Sequence, residues 1–238
     1  MVKADAPSVV HEDDDLLMVD KPGGLVCHSA SRDEHPTLVA WVREHGVATP
    51  RLINRLDRET SGLVVVAKNE RAGKILGKAV LRREIEKTYT AVCWGELRQD
   101  SGVIDQPIAV ASAGVVYTKR VVDPAGKPSL TQFTVTTRLR GFTVVELRPQ
   151  TGRAHQLRVH MAWLGHAIVG DKIYGPDERW YLKFIEHGVT NEMLTELLLP
   201  RHALHAGGVR LRHPGDGTWR TFQAELPDDM RDFIAGNS

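Results

Sequence analysis

Cysteine is scarce in this sequence of 238 residues, with only Cys27 and Cys93 present. Both lie in apolar, strand-like surroundings, and two cysteines supply neither a disulfide framework nor the four ligands of a structural zinc site. A reducing compartment is the simplest expectation, and we predict a cytoplasmic protein.

Long hydrophobic runs are also missing. Nowhere do about eighteen apolar residues follow one another, so no transmembrane helix is predicted. The first twenty residues contain four consecutive acids at positions 12–15 and lack the apolar core of a secretory signal. We therefore expect a soluble, unprocessed protein without a membrane partner.

A large excess of positive charge is the third absence. The 31 basic and 30 acidic residues leave a formal charge of +1, whereas nucleic-acid-binding domains often carry many more cations. The distribution is uneven, because residues 138–158 contain five arginines and one acid, while acids concentrate at residues 12–15 and 228–232. This asymmetry predicts one basic face, although a solvated strand edge would give the same pattern.

The order of hydrophobic patterns predicts an α+β fold. Helices are indicated at residues 37–45, ending at Gly46, and at residues 69–84, beginning with the capping residue Asn69. Strands are predicted at residues 63–67, 87–96, 129–139, 142–148, 208–211 and 219–226. Residues 98–126 and 176–202 are less regular, the latter with helical periodicity at 180–186 and 192–199. We expect a mixed, mainly antiparallel sheet flanked by helices, in a single domain over residues 1–238.

The most informative segment is RLINRLDRETSGLVVVAK, at residues 51–68. It sets the carboxylate of Asp57 between Arg55 and Arg58, just before turn-forming residues and an apolar run. An isolated cluster of this kind is usually a solvated loop, in which exposed ion pairs contribute about 0–1 kcal/mol. The segment as a whole instead indicates an active-site loop.

A second informative segment is residues 154–164, which have an apolar stripe at helical spacing. Arg158 lies at the margin of this stripe, so its side chain either reaches solvent or turns inward to a partner. Arg153 is predicted to open the helix, where free N–H groups and a cationic side chain favour a phosphate. An ordinary surface arginine is the alternative for Arg153.

Three histidines, with Asp171, raise the question of a metal centre: His155, His160 and His166. His155 and His160 are five positions apart and point about 140° away from each other on a helix, whereas i, i+4 spacing brings two ligands together. We therefore predict no metal site.

These segments together resemble the RluA family of RNA pseudouridine synthases. Its signature H-R-L-D-x-x-T-S-G matches residues 54–62, except that Asn54 replaces the histidine. Residues 13–28 resemble the opening strand and K-P-x-G turn, which indicate a short strand ended by Pro-Gly-Gly and a second short strand. Residues 86–92 resemble the K-x-Y strand, and residues 148–175 the T-G-R-x-H-Q-x-R-V-H and G-D-x-x-Y-G segments. With further matches near the C-terminus, the resemblance covers residues 9–226.

The resemblance implies conversion of a specific uridine in a stem-loop of ribosomal or transfer RNA to pseudouridine, with the base flipped into a cleft across the sheet. Asp57 would be the catalytic aspartate, and Tyr89 would stack on the base; the alternative for Tyr89 is core packing with its hydroxyl reaching water. Arg158 would form an ion pair with Asp57 that keeps it ionised. Substrate-binding roles are implied for Arg55, which would fill the gap left by the base or hold its phosphate, and are assigned to three further residues: Arg58, Arg153 and His155.

The implied reaction is neither a redox step nor a hydrolysis, so we expect no cofactor. We expect structured RNA as the partner, and we expect the protein to be a monomer. Many members of the family carry an N-terminal RNA-binding domain. We expect none in this chain, because the resemblance to the catalytic domain begins near residue 9, and target choice would then fall to the catalytic domain and its irregular stretches. Three alternatives stay open. The protein could be an inactive RNA-binding member of the same fold, a hydrolase that would need a second carboxylate beside Asp57, or a metal enzyme.

Overall fold

A computed structural model describes residues 6–28 and 36–238. Over these residues the chain forms twelve strands: β1 (Ser8–Glu12), β2 (Leu16–Lys21), β3 (Arg51–Leu52), β4 (Ser61–Ala67), β5 (Glu86–Trp94), β6 (Ser101–Asp105), β7 (Ile108–Val110), β8 (Arg120–Val122), β9 (Leu130–Leu139), β10 (Phe142–Pro149), β11 (Leu204–Arg212) and β12 (Trp219–Gln223). The same residues form six helices: α1 (Leu38–Glu44), α2 (Glu70–Leu81), α3 (Gln156–Trp163), α4 (Arg179–His187), α5 (Asn191–Leu197) and α6 (Asp228–Gly236).

The chain divides into two compact units. The first unit contains the described residues up to Thr88 together with His205–Leu226, and the second contains Tyr89–Leu204 and Pro227–Ser238. Most strand pairs in both units are antiparallel, while β4 and β11 pair in parallel. The α+β class with a mixed, mainly antiparallel sheet is therefore confirmed.

The first unit is a sheet in the order β1-β2-β4-β11, with β3 also paired to β4 and β12 to β11. Every residue of β4 is buried, as its uninterrupted apolar run predicts. Helix α2 packs Ala72 and Leu76 against Met18, Leu63 and Val65, and this contact forms the core on one side of the sheet. The loop before β4 is therefore attached to a rigid strand.

Both helices of the first unit begin at the residues that the sequence predicts. The Thr37 hydroxyl accepts a hydrogen bond from the Ala40 N–H, and the Asn69 side chain accepts one from the Ala72 N–H. Helix α2 ends at Leu81 rather than at residue 84. The predicted second short strand after the Pro-Gly-Gly turn is wrong, because the Leu25 carbonyl accepts a hydrogen bond from the Lys21 ammonium and residue 26 forms only an isolated bridge.

The second unit is a sheet in the order β5-β10-β9-β6, beside the separate pair β7-β8. Strands β5, β9 and β10 lie within two residues of their predicted bounds. The periodicity predicted between residues 176 and 202 is confirmed, since α4 and α5 pack through a cluster of Trp180, Met193 and Leu197. Residues 98–126, predicted to be irregular, contain β6, β7 and β8. Among the described helices, none has the length and apolar character needed to cross a membrane.

Candidate active site

Asp57 lies in the loop between β3 and β4 of the first unit, and its side chain is half-buried. The Asp57 carbonyl accepts a hydrogen bond from the Thr60 N–H at 3.1 Å, which closes a tight turn directly before β4. Arg55 and Arg58, on either side, are exposed. The carboxylate of Asp57 therefore lies on a short turn that leads directly into a buried strand. Catalytic residues are commonly found on loops that a rigid scaffold holds in position in this way.

Asn54, the departure from the family signature, fastens this loop to β4. Its side-chain amide donates to the Leu63 carbonyl at 3.1 Å, and its side-chain oxygen accepts from the Val65 N–H at 2.8 Å. The preceding Ile53 N–H donates to the Val65 carbonyl at 2.8 Å. Asn54 and Ile53 therefore hold this loop against β4.

Lys21 supports the other side of the loop. It is fully buried, and its ammonium donates to the carbonyls of Pro22 and Leu25 at 2.8 Å and of Arg58 at 3.2 Å. The Arg58 carbonyl also accepts from the Gly24 N–H at 2.8 Å. These oxygens compensate for the loss of water around the Lys21 charge and fix the residue that follows Asp57. Sequence reasoning missed this role, although the K-P-x-G motif was the signal that could have indicated it.

The Thr-Ser-Gly part of the signature fits β4 closely against β11. The Ser61 hydroxyl contacts His205 Nδ1 at 3.0 Å in the interior. Gly62 has φ +109°, and a Cβ there would lie 2.4 Å from the Ala206 carbonyl oxygen. Glycine is therefore required at position 62 by both backbone conformation and space.

The remaining predicted site residues belong to the second unit. Tyr89 is on β5, opposite Leu147 of β10, and is 8% exposed. Arg158 is on α3 and 5% exposed, so its side chain turns inward. Because Asp57 and Arg158 belong to different units, their ion pair stays a prediction.

Asp171 is a partner of Arg158 that sequence reasoning missed. Arg158 Nε donates to Asp171 Oδ2 at 2.6 Å, and Arg158 Nη2 donates to Asp171 Oδ1 at 2.8 Å. Burial by itself raises the pKa of Asp171, but the Arg158 charge and hydrogen bonds outweigh it and hold that pKa well below its usual range. A fixed, ionised Asp171 in turn fixes the Arg158 guanidinium, and the G-D-x-x-Y-G motif was the available signal.

The prediction that Arg153 opens α3 is wrong. The helix begins at Gln156, whose side-chain oxygen accepts a hydrogen bond from the main-chain N–H of Arg153 at 3.0 Å. The Arg153 side chain is exposed, and its Nε donates to the Pro128 carbonyl at 3.2 Å. The main-chain N–H of Arg153, which was predicted to be available to a phosphate, therefore donates to the Gln156 side chain, because that side chain folds back over the turn.

Gln156 is the centre of a buried polar network. Its amide nitrogen donates to the Leu130 carbonyl and the Thr131 hydroxyl, both at 3.0 Å, and its oxygen also accepts from the Thr151 hydroxyl at 2.7 Å. The Thr131 hydroxyl also contacts His160 Nδ1 at 2.8 Å. The network anchors the T-G-R-x-H-Q segment to β9 and so fixes the start of α3.

The three histidines of the metal hypothesis have separate partners. His155 Nδ1 contacts the Tyr174 hydroxyl at 2.8 Å, and His166 Nδ1 donates to the Trp94 carbonyl at 2.8 Å. Burial lowers the pKa of His160, whose Nε2 donates to the Gln106 carbonyl at 3.0 Å. Within residues 6–28 and 36–238, no group of three or more His, Cys, Asp or Glu side chains is arranged to hold a metal ion.

Comparison with known proteins gives consistent matches. A family model described as RNA pseudouridylate synthase matches residues 15–163. The uncharacterized RNA pseudouridine synthase YlyB of Bacillus subtilis is 36% identical over 234 residues, covering 95% of this chain and 71% of that protein. Ribosomal large subunit pseudouridine synthase D of Haemophilus ducreyi is 37% identical over 233 residues, covering 95% of this chain and 69% of that protein.

Two solved structures share the fold. Human RNA Pseudouridylate Synthase Domain Containing 4 has a TM-score of 0.72 at 24% identity, and the match covers 94% of this chain and 90% of that one. Human RNA Pseudouridylate Synthase Domain Containing 1 has the same TM-score and identity, with 97% and 94% covered. The expected pseudouridine synthase fold is confirmed by both matches.

Proposed function

The chain belongs to the RNA pseudouridylate synthase family, and we propose that it isomerises a specific uridine of a structured RNA to pseudouridine. One observation carries the proposal. The matched region includes the signature loop with Asp57, and this loop is fastened on one side by Asn54 and on the other by Lys21. These contacts hold the main chain on both sides of Asp57, and the reaction requires a carboxylate positioned against particular atoms of the nucleotide.

Asp57 is the proposed catalytic residue. The reaction breaks the bond between N1 and the ribose, turns the base, rejoins it through C5 and releases the C5 proton. A carboxylate beside the anomeric carbon serves as nucleophile or as base, and either role requires the ionised form. Arg158, fixed by Asp171, is proposed to form the ion pair that keeps Asp57 ionised.

The other predicted residues are proposed to hold the RNA. Tyr89 would stack on the flipped base, which needs an aromatic surface once it leaves the helix. The exposed cations of Arg55 and Arg58 flank Asp57 and suit phosphates next to the target nucleotide. Arg153 is also exposed, and His155 lies two residues beyond it, so both stay substrate-binding candidates.

Large-subunit ribosomal RNA is the substrate class to test first, because several relatives are named as large-subunit pseudouridine synthases. Transfer RNA is the comparison, as the sequence predicted either class. We also propose that the two units act as one catalytic domain, in the cytoplasm and as a monomer.

The test is tritium release from RNA transcribed with uridine labelled at C5. We expect release by the wild type, and a loss of at least about 10³-fold in Asp57→Asn, which keeps the shape of the side chain but not its charge. Glu59→Gln, in the same turn, is the matched control and should retain activity. Release by Asp57→Asn would contradict the catalytic role, and no release by the wild type from either RNA pool would favour an inactive RNA-binding protein.

A further inference from the structure

Tyr174 joins three segments of the second unit through one side chain. Its hydroxyl accepts a hydrogen bond from the main-chain N–H of Arg120 on β8 at 2.9 Å and contacts His155 Nδ1 at 2.8 Å. The Arg158 guanidinium lies over its ring, 5.0 Å from the centroid. The Tyr174 N–H donates to Asp171 Oδ1 at 3.0 Å. The β7-β8 pair, the turn before α3 and the Arg158–Asp171 ion pair therefore meet at Tyr174.

The hydrogen bonds of the Tyr174 hydroxyl have a direction. The Arg120 N–H can only donate, so the hydroxyl oxygen is the acceptor there, and the hydroxyl proton remains available to donate to His155 Nδ1. If Nδ1 of a neutral His155 accepts this hydrogen bond, the ring carries its own hydrogen on Nε2. In that arrangement Tyr174 selects one tautomer of His155, with Nε2 as the hydrogen-bond donor of the ring.

The backbone of His155 gives an independent reason to assign it a function. His155 has φ +57°, in the left-handed region that residues other than glycine rarely adopt. It is also the N-cap of α3, and its side chain makes no capping hydrogen bond, although capping is the usual reason for a polar residue at that position. Since the imidazole is directed to Tyr174 instead, this strained and uncapped position is better explained by function than by stability.

We propose that the Tyr174 hydroxyl donates to His155 Nδ1 and that Tyr174 is thereby a positioning residue for RNA binding, which orients His155 so that its Nε2–H donates to an acceptor oxygen of the RNA. This inference rests on the proposed function, because it requires an RNA substrate. The hydrogen bond from the Arg120 N–H also connects β8 to the Tyr174 hydroxyl. Strand β8 and helix α3 pack together in an apolar cluster that includes Val122, Val159 and Tyr174. The β7-β8 pair and His155 would then engage the RNA as one preorganised surface.

Tyr174→Phe is the discriminating variant, because it keeps the ring beneath Arg158 and removes only the hydroxyl. Tyr181→Phe is the matched control, since Tyr181 borders the same apolar cluster and has no assigned role. Two experiments are made: the tritium-release assay gives kcat and KM, and NMR gives the ¹⁵N chemical shifts of the His155 ring, assigned with His155→Gln.

We expect Tyr174→Phe to raise KM on the order of tenfold, with kcat changed by less than about twofold. The His155 ¹⁵N shifts should indicate the Nε2–H tautomer in the wild type and a mixture of tautomers in Tyr174→Phe, while Tyr181→Phe behaves like the wild type in both measurements. A merely structural role would lower the melting temperature without moving the tautomer.

An active wild type whose KM and His155 tautomer are both unchanged by Tyr174→Phe would overturn this inference and leave the proposed function intact. A change in KM without a change in tautomer would also overturn it, because the hydroxyl would then act by another route. A wild type inactive on every RNA would instead reject the proposed function, and the assignment of His155 to RNA with it.

Discussion

Arg158 and Asp171 form a doubly hydrogen-bonded ion pair inside the second unit, with Nε–Oδ2 at 2.6 Å and Nη2–Oδ1 at 2.8 Å. Their side chains are 6% and 0% exposed. The main-chain N–H groups of Ile173 and Tyr174 complete the coordination of the carboxylate. Burying two charges is costly, and such a pair need not add stability, but it leaves the guanidinium one orientation. A guanidinium held in one orientation is also a requirement of the ion pair proposed between Arg158 and Asp57.

Asp171→Asn should be strongly destabilising, because it leaves the Arg158 charge buried without its counter-ion. The expected loss in the free energy of unfolding is about 3–5 kcal/mol, measured by urea denaturation. Glu192→Gln is the control, since it removes an exposed ion pair with Lys183 and should cost less than about 1 kcal/mol. Equal losses in the two variants would show that the buried pair has no special role.

The contribution of Asp171 to stability should depend on pH. The pKa of Asp171 is lowered in the folded protein, despite burial, by the Arg158 charge and hydrogen bonds. A carboxyl group of this kind stabilises the fold above its unfolded pKa of about 3.9, and the contribution is lost as the pH falls toward the folded pKa. The stability difference between wild type and Asp171→Asn should be constant from about pH 7 to 5, then shrink by up to about 1.4 kcal/mol per pH unit below about pH 4. Urea titrations across this range measure it, and a difference independent of pH would contradict the assignment.

Local signals were sufficient for much of the fold. The apolar run of β4 and the capping side chains of Thr37 and Asn69 act on neighbours within a few residues, so sequence alone predicts these elements. Strands β7 and β8 have three residues each and are partly exposed, so neither leaves a hydrophobic pattern long enough to detect. Their pairing depends on contacts that sequence spacing does not encode.

The candidate site divides in the same way. Asp57 is marked by a continuous signature, whereas Lys21 and Asp171 are charged residues whose burial depends on partners distant in sequence. Charged residues are usually exposed unless they are paired. The hydrophobic pattern of a sequence therefore gives no reason to predict that a particular Lys or Asp is buried. The start of α3 was misplaced for a related reason, because Gln156 determines it through Leu130 and Thr131 of β9.

Lys21→Met should reduce both stability and turnover. The variant removes the buried ammonium that donates to the carbonyls of Pro22, Leu25 and Arg58, of which only the Arg58 carbonyl keeps a second donor, the Gly24 N–H; the expected cost is about 1–3 kcal/mol. Since the Arg58 carbonyl follows Asp57 directly, kcat for tritium release should fall further than the loss of folded protein explains. Lys74→Met, at an exposed position of α2, is the control and should change neither quantity. If folded Lys21→Met had an unchanged kcat, Lys21 would have no role in positioning the Asp57 loop for catalysis.

Asn54 should be replaceable by the histidine of the family signature but not by alanine. Asn54→Ala removes the partners of the Leu63 carbonyl and the Val65 N–H, at an expected cost of about 1–3 kcal/mol. Asn54→His keeps one donor and one acceptor on the ring, so its loss in the free energy of unfolding should be the smaller. Thermal and urea denaturation of both variants compare them, and an equal loss would mean that the hydrogen bonds to β4 do not determine the residue at this position.

Gly62 and Gly46 separate the effects of backbone strain and space, because their φ angles are nearly equal at +109° and +105°. A Cβ at position 46 would meet nothing within 4 Å, whereas at position 62 it would lie 2.4 Å from the Ala206 carbonyl oxygen. Gly46→Ala should therefore cost only the strain of a positive φ, about 1–3 kcal/mol. Gly62→Ala carries the same strain and must also push β11 away from β4, so it should lose more stability than Gly46→Ala, together with tritium release. Soluble yield and urea denaturation compare the two variants. Similar losses would mean that β4 and β11 separate easily and that the close approach at Gly62 does not constrain the Asp57 loop.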